Sequence, residues 1–393
     1  MENHQYLLSI DNGTQSVRAM IFNSQGQLLA KSKIDIEPYF SSQNGWAEQY
    51  ADYFWEKLCL ACQTLWRENS IDKQAIAAVS VTTQRATVVT MGKNHQPLRP
   101  AISWLDQRQV DSKPVLGVFE SALMALVRAK PLVDLMHQQS EANWLEQNEP
   151  ELWKQVSKFL LLSGYHNYKL TGEYKDSIAS TVGFVPFDYK TQQWAEKNDW
   201  KWRAIPITRD MLPEVLPAGS KLGKITATAA IETGIPEGLT LIASGSDKAC
   251  EVLGTGCTDS HTGSLSYGSL ATINIASDKY LEAIPFYPAY PGVVPGTFNV
   301  EMMVQRGYWM VSWFKQEFGL HETQKSTEQK VSPESLFDQL LAEVPAGSDG
   351  LMLQPYWSPS NGDGPETRGA IIGFTESHTR AHLYRAMIEG LTY

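Results

Sequence analysis

Two aspartates, Asp11 and Asp247, stand where short apolar runs end, beside residues that could bind phosphate. The runs, residues 6–10 and 239–244, have the composition of buried strands. Gly13 and the hydroxyl residues after Asp11 offer backbone N–H groups and side-chain donors that can surround a phosphate. A carboxylate there would repel the anion, so its presence indicates an intervening Mg²⁺, which prefers oxygen ligands. Two such acids are what an enzyme handling MgATP and a hydroxyl group needs.

An ordinary hairpin turn is the alternative explanation for the residues after Asp11, because Asp, Asn and Gly are common turn residues. The chain resumes as an apolar run over residues 17–22, turns again at residues 23–26 and begins a third run at residues 28–30. Two tight turns between three strands predict an antiparallel meander. The pattern leaves open whether the first turn binds phosphate or only reverses the chain.

Length and composition predict two domains and exclude some partners. The chain has 393 residues, more than one hydrophobic core usually serves. Its net charge of -10 argues against non-specific binding to nucleic acid or anionic membranes. We find no membrane-length apolar run and no signal-peptide start, so we expect a cytoplasmic protein. Cys59 and Cys62 fall within residues 50–69, whose apolar spacing is helical, which favours buried helix positions over a zinc or redox pair.

Longer motifs produce a resemblance to a known family. Residues 11–18, with their strand-turn-strand continuation, resemble the first phosphate motif of the FGGY carbohydrate kinases, which are actin-like ATPases. Residues 98–108 match the family pattern R-P-A-I-x-W-x-D-x-R. Residues 262–271 resemble its second phosphate loop, and residues 382–391 match its R-A-x-x-E-G helix. The resemblance covers essentially the whole chain, although relatives continue past residue 393 with a strand and a Gly-rich loop that holds adenosine.

The resemblance implies a role for each candidate site residue. Asp247 is implied as the general base that accepts the proton of the hydroxyl group, and Asp11 as the residue that holds Mg²⁺ through water. Asp176 is favoured as a turn cap over a substrate contact. The residues implied to bind MgATP are Asp11, Gly13, Thr14, Gln15, Ser16, Arg18, Gly268, Ser269 and Gly307. The residues implied to bind substrate are Gln84, Arg85, Trp104, Asp106 and Asp247.

The residue at position 86 bears on the substrate. Glycerol kinases have an Arg-Glu pair where this chain has Arg85 and Ala86, and xylulokinases have Met-His there. An aromatic face such as that of Trp104 covers the C–H side of a sugar, while Arg and Asp side chains satisfy its hydroxyl groups. Because Ala86 lacks the carboxylate, the resemblance implies that glycerol is a poor substrate. Ketoses such as a pentulose, or longer polyols, should be better.

The implied fold is α/β, with two ribonuclease-H-like domains of the actin-like ATPase type and a cleft between them. We place the sugar-binding domain at residues 1–244 and an incomplete nucleotide-binding domain at residues 245–393. The implied activity is that of a phosphotransferase with an alcohol group as acceptor, using ATP and Mg²⁺ on a small sugar or polyol; a homodimer is compatible with it. The alternatives are a truncated fragment or a catalytically impaired actin-like regulator that binds nucleotide or sugar.

Overall fold

The largest sheet is built on the predicted meander. The computed structural model describes residues 5–111, 116–117, 130–268, 270–285, 287–304, 307–357 and 367–393. The sheet has the strand order β13-β14-β5-β1-β2-β3, in which β1, β2 and β3 are antiparallel neighbours, as predicted, while β5 is parallel to both β1 and β14. These strands are β1 (Tyr6–Asn12), β2 (Ser16–Asn23), β3 (Leu28–Asp35), β5 (Ile76–Thr83), β13 (Lys221–Lys224) and β14 (Thr240–Ile242).

Helix α1 shows how the sequence pattern builds this layer. It spans Ala51–Glu68 and packs against β2 and β3. Its buried residues Phe54, Leu58, Cys62 and Leu65 recur at helical spacing, so one face of the helix is apolar. Cys59 and Cys62 are both buried, which confirms their assignment as helix core residues. The other α-helices among the described residues before residue 262 are α2 (Lys130–Gln139), α3 (Glu141–Asn148), α4 (Pro150–Trp153), α5 (Leu162–Thr171), α6 (Lys201–Ala204), α7 (Ala227–Thr233) and α8 (Asp247–Gly254).

Among the described residues, a smaller sheet and further strand pairings follow the large sheet. The smaller sheet has the order β4-β7-β6-β8, and Phe159, Leu145 and Phe187 lie in the separate hydrophobic cluster beside it. β9 pairs with β12 in parallel, while β10 with β11 and β17 with β18 are antiparallel pairs. The strands are β4 (Glu48–Gln49), β6 (Val88–Met91), β7 (Ala101–Ile102), β8 (Lys158–Leu161), β9 (Lys175–Ser177), β10 (Phe187–Asp188), β11 (Gln193–Trp194), β12 (Glu214–Leu216), β17 (Tyr290–Pro291) and β18 (Phe298–Val304).

The C-terminal part of the chain has its own core of aromatic and aliphatic side chains. Phe314, Phe337 and Met387 are fully buried there. Ser332 caps the predicted helix at Pro333, because its hydroxyl accepts the Ser335 N–H at 3.3 Å. The elements are the hairpins β15 (Gly263–Tyr267) with β16 (Ala271–Ser277) and β19 (Met352–Gln354) with β20 (Ala370–Ile372), and the helices α9 (Trp309–Phe318), α10 (Leu320–Gln329), α11 (Pro333–Ala342) and α12 (Arg380–Thr392).

The chain divides into two compact units. The first comprises Met1–Thr262 and Ala276–Val300, and the second comprises Gly263–Ile275 and Glu301–Tyr393. The alternation of strands and helices confirms the predicted α/β class. The domain boundary after residue 244 concerns the family's domains and stays a prediction. None of the helices in the described part of the chain has the length and apolar content that a membrane span requires.

Candidate functional site

The carboxyl ends of three parallel strands meet at one edge of the large sheet. β1 and β14 both run parallel to β5, so the segments that follow these strands emerge on the same side. Contacts join the segments: the Gln84 N–H donates to the Asn12 carbonyl at 3.0 Å, and the Thr82 hydroxyl donates to the Gly245 carbonyl at 2.8 Å. We call this place the strand-end edge. It brings together the regions of Asp11, Gln84 and Asp247, which the sequence predicted as parts of one site.

Asp11 lies on β1 opposite Arg18 on β2. The Arg18 guanidinium donates to Asp11 Oδ2 at 2.7 Å. Burial raises the pKa of Asp11 above its ordinary value, and the Arg18 charge opposes that rise. Beyond Asp11, the Gly13 N–H donates to the Ser16 carbonyl at 3.1 Å, which closes a tight loop through Thr14 and Gln15. The loop is therefore a real turn, and its binding of phosphate stays a prediction.

Asn12 is fixed by a residue that the sequence did not reveal, His166 on α5. Both side chains are fully buried, and His166 Nε2 lies 2.9 Å from Asn12 Oδ1. Asn12 Nδ2 donates to the Gly13 carbonyl at 3.1 Å, so Oδ1 is the acceptor and the imidazole donates. Burial lowers the pKa of His166 to about 3, which keeps the ring neutral. His166 therefore helps to hold the base of the Asp11 loop, and no local sequence signal marks it.

Trp104 connects a predicted nucleotide residue with a predicted substrate residue. Its indole N–H lies 3.1 Å from both Thr14 Oγ1 and Gln84 Oε1. Because Gln84 Oε1 accepts from the indole, its Nε2 is oriented away from Trp104. Nε2 is buried and has no hydrogen-bond partner among the described residues. Such a donor is costly to leave unpaired, so it is suited to a hydroxyl or phosphate oxygen of a ligand.

Asp247 begins helix α8 and lies beyond the end of its strand. β14 ends at Ile242, and Ser246 caps α8 by accepting the Ala249 N–H at 3.3 Å. The strand is therefore shorter than the predicted residues 239–244. Asp247 lies at the N-terminus of a helix and not at the end of a strand, as the sequence had predicted. The Lys248 N–H donates to Asp247 Oδ1 at 2.7 Å. A carboxylate at this end of a helix benefits from the positive end of the helix dipole.

The charge environment of Asp247 includes Lys248 and two other predicted site residues, Arg85 and Asp11. Burial raises the pKa of Asp247 above its ordinary value, and the negative charge of Asp11 adds to that rise. The positive charge of Arg85 and the Lys248 N–H act in the opposite direction. Arg85 lies with its guanidinium 5.4 Å from the centre of the Tyr290 ring. Asp11 and Arg85 thus both influence the pKa of Asp247, as a joint site requires.

The segment that leads into Asp247 is held closely by β9 and the turn after it. The Ser177 hydroxyl donates to the Ser244 carbonyl at 2.5 Å, and the Ser246 N–H donates to the Ala179 carbonyl at 3.0 Å. Gly245 lies between them, where an added Cβ would stand 2.8 Å from Val293 Cγ2 and 3.2 Å from Ala179 Cβ. Only glycine fits this approach without a shift, so packing determines where α8 begins.

Asp176, the residue before Ser177, is buried and accepts several hydrogen bonds. The Ser163 hydroxyl donates to Oδ2 at 2.6 Å, while Asn167 Nδ2 and the Ser177 N–H donate to Oδ1 at 3.0 and 2.7 Å. The Asp176 carboxyl thereby ties β9 to the start of α5. Ser177, not Asp176, caps the turn that follows, since its hydroxyl accepts the Ala179 N–H at 3.2 Å. Asp176 instead joins two elements, and whether it also contacts substrate stays a prediction.

The titration of Asp176 should appear as a pH dependence of stability. Burial raises the pKa of Asp176 to about 7, against roughly 3.9 in an unfolded chain. Between these values the folded state binds more protons, so its stability falls as pH rises and is greatest below the unfolded pKa. We expect the free energy of unfolding of wild type to fall by up to about 4 kcal/mol between pH 4 and pH 7 because of this group. Asp176→Asn has no group that titrates there, so its free energy of unfolding should not show that fall. Urea denaturation across this range tests it; parallel curves would contradict it.

Asp106 lies within a buried ion-pair cluster. Its Oδ2 accepts the Ala47 N–H at 2.7 Å, and Arg108 donates to both of its oxygens, each at 2.7 Å. Arg108 also donates to Glu48 Oε1 at 2.9 Å, and Arg99 contacts the same oxygen. These partners account for the Asp106 carboxylate as part of a structural ion-pair cluster. Its direct contact with substrate stays a prediction.

The nucleotide residues predicted in the second unit lie on neighbouring segments. Gly268 follows β15, and its carbonyl accepts the Tyr308 N–H at 3.1 Å. An added Cβ at Gly307 would stand 2.3 Å from the Ala271 nitrogen, so the backbones pack directly together there. Gly268 and Gly307 are therefore close neighbours, although their binding of nucleotide stays a prediction. Ser269 lies outside the described residues.

The donor set at the strand-end edge fits a magnesium ion that is shared with a phosphate. Within the described residues, His, Cys, Asp and Glu side chains form no group of three or more that could hold a metal ion by themselves. Mg²⁺ differs from most metals in that one or two carboxylates suffice, with water and substrate phosphates as the other ligands. Arg18 contacts only Oδ2 of Asp11, which leaves Oδ1 available for such a ligand or its water.

Comparison with known proteins gives consistent matches. Residues 6–254 match the model of the FGGY family of carbohydrate kinases, N-terminal domain. The "Uncharacterized sugar kinase YgcE" of Escherichia coli (strain K12) is 28% identical over 98% of this chain and 71% of its own length. The "Xylulose kinase" of Lactococcus lactis subsp. lactis is 26% identical over 99% of this chain and 75% of its own length.

A solved structure confirms the predicted fold. The ligand-bound xylulose kinase from Lactobacillus acidophilus superposes with a TM-score of 0.80, at 19% identity, over 98% of this chain and 76% of that one. At this identity the likeness is evidence of fold alone.

Proposed function

We propose, since this chain belongs to the FGGY family of carbohydrate kinases, that it transfers the γ-phosphoryl group of ATP to a hydroxyl group of a small ketose or polyol. The observation that carries the proposal is the strand-end edge. There the Asp247 carboxyl lies within the electrostatic influence of both Asp11 and Arg85. One edge thus offers a carboxylate for a proton, a carboxylate for a cation and a guanidinium for a polar substrate.

The proposed reaction is an in-line transfer. The substrate hydroxyl oxygen forms a bond to the γ-phosphorus, the bond from that phosphorus to the β,γ-bridging oxygen breaks, and ADP leaves. The hydroxyl proton passes to the Asp247 carboxylate, which is why its ionised form is required. A raised pKa makes this carboxylate a better proton acceptor, since a base works best when its pKa approaches the working pH.

The remaining groups position the reactants. Asp11 would hold Mg²⁺, which when bound neutralises charge on the phosphates. Gln84 Nε2, buried and unpaired among the described residues, is a donor for a substrate or phosphate oxygen. The indole of Trp104 provides an apolar face, and its N–H fixes the Gln84 side chain at 3.1 Å. Arg85 and Gln84 would therefore orient the hydroxyl toward Asp247.

The charge of Arg85 should set the acid limb of the pH profile. Arg85 lowers the pKa of Asp247, so its removal in Arg85→Gln should raise that pKa and move the acid limb of kcat/KM to higher pH. Arg85→Lys keeps a positive charge and serves as the matched control, with a limb close to that of wild type. Both variants will bind substrate less well, but weaker binding alone does not move the limb. An unmoved limb in Arg85→Gln would contradict electrostatic coupling to Asp247.

A coupled ADP-release assay tests the function itself. The panel should contain pentuloses, hexuloses, tetritols, longer polyols and glycerol. Because Ala86 provides no carboxylate for hydroxyl groups, we expect kcat/KM for at least one ketose or longer polyol to exceed that for glycerol by roughly tenfold, the value of one hydrogen bond. A highest value for glycerol would overturn the substrate class. Sugar binding without ADP release in every case would instead favour a non-catalytic regulator.

A further inference from the structure

A cavity open to solvent lies between α1, the turn after β6, α5 and α7, and none of the predicted site residues lines it. Its volume is about 220 Å³. One water occupies roughly 30 Å³ of liquid, so the cavity holds about seven waters, or one small organic molecule. We call it the α1–α5 cavity. It is lined by Asp52, His95, Gln96, Pro97, Tyr165, Tyr168, Lys169, Gly172, Thr226, Thr228 and Glu232.

Polar groups in the cavity have unused hydrogen-bonding capacity that a ligand could fill. The Lys169 ammonium is 4.0 Å from Asp52 Oδ1, too far for a hydrogen bond, and makes none with the described residues. Glu232 uses Oε2 to accept the Trp55 indole N–H at 2.7 Å, and Asp52 uses Oδ1 to accept the Tyr165 hydroxyl at 2.7 Å. The other carboxylate oxygens have no hydrogen-bond partner among the described residues. One donor and two acceptors therefore remain for an incoming molecule.

Three ring side chains, His95, Tyr165 and Tyr168, belong to the lining, and Tyr174 and Trp55 pack behind it. Tyr168 stacks on Tyr174 with centroids 4.4 Å apart and planes 6° apart, and His95 packs beside both rings, with Nδ1 2.8 Å from the Tyr174 hydroxyl. Trp55 is buried, and the centre of its ring lies 5.2 Å from Lys169 Nζ. These contacts restrain the rings before any ligand arrives, so little side-chain entropy is lost when one binds.

We infer that the α1–α5 cavity binds a neutral monosaccharide or short polyol at a site separate from the strand-end edge. Hydroxyl groups can donate to Asp52 and Glu232 and accept from Lys169, while the Tyr168 ring in the lining offers an apolar surface to C–H groups. Two carboxylates against one ammonium leave a net negative lining, which disfavours sugar acids.

Trp55 provides a readout that does not depend on catalysis. Protein labelled with 5-fluorotryptophan gives a ¹⁹F resonance for Trp55, assigned by its absence in Trp55→Phe. We expect xylitol to shift this resonance saturably and gluconate to shift it at least roughly tenfold more weakly. Lys169→Met and Glu232→Gln should each weaken the xylitol response about tenfold, the loss of roughly one hydrogen bond. Glu237→Gln, an exposed carboxylate-to-amide change outside the lining, is the matched control and should respond as wild type.

A second variant separates this site from the strand-end edge. Trp104→Ala removes a predicted substrate contact and should leave the Trp55 response to xylitol unchanged. Loss of that response in Trp104→Ala, with retention in Glu232→Gln, would assign the effect to the strand-end edge and overturn the inference. Absence of any saturable shift, or tighter binding of gluconate than of xylitol, would overturn it as well. None of these outcomes depends on whether the chain phosphorylates a sugar.

Discussion

Replacement of Asp247 by asparagine is expected to lower the rate of phosphoryl transfer by about 10²–10⁴-fold, the usual contribution of a general base. Asparagine has the same shape and its amide oxygen can still accept the Lys248 N–H, now 2.7 Å from Oδ1. It cannot accept the hydroxyl proton, however. Folding and sugar binding should therefore persist while chemistry slows, which a single-turnover ADP-release assay and calorimetric sugar titration measure separately.

The control for this experiment is the same substitution on the surface. Asp278 is exposed and belongs to the same unit, so Asp278→Asn should keep wild-type turnover. Urea denaturation of both variants shows first that each is folded. Near-native turnover of Asp247→Asn, in a folded protein that binds sugar, would show that Asp247 is not the base.

Replacement of Arg108 by methionine should lower the free energy of unfolding by about 3–5 kcal/mol, the range for removing one partner of a buried ion pair. The side chains of Arg108, Asp106 and Glu48 are exposed by only 3%, 4% and 6%. Without Arg108, two buried carboxylates lose their shared cation. The guanidinium carbon also lies 4.0 Å from the centre of the Trp46 ring and 4.6 Å from the centre of the Trp144 ring. Methionine would replace these contacts only partly.

Arg67→Met is the matched control for Arg108→Met. Arg67 pairs with Glu68 at 3.6 Å, and both side chains are more than half exposed. Surface pairs of this kind contribute about 0–1 kcal/mol, so the control should unfold near the wild-type urea concentration. Equal, small effects of the two substitutions would contradict the view that the buried Arg108 cluster stabilises the fold.

Local chemistry in the sequence determined the first strands and the first helix. Short apolar runs and two turn sequences were sufficient for β1, β2 and β3, because a hairpin joins residues that are neighbours in the chain. The 3.6-residue spacing of apolar side chains was sufficient for α1. The motifs around Asp11 and Asp247 also led to the family, because short turns with required small residues tolerate few alternatives.

The tertiary structure decided which distant side chains meet. His166 reaches Asn12 across 154 positions, and the Ser177 hydroxyl reaches the Ser244 carbonyl across 67. The sequence carries no local mark of such pairs, because the parallel strands that bring them together are joined through long connections. Asp106 illustrates the same limit. Its motif implied a contact with substrate, but only packing shows its carboxylate already bonded to Arg108 and the Ala47 N–H.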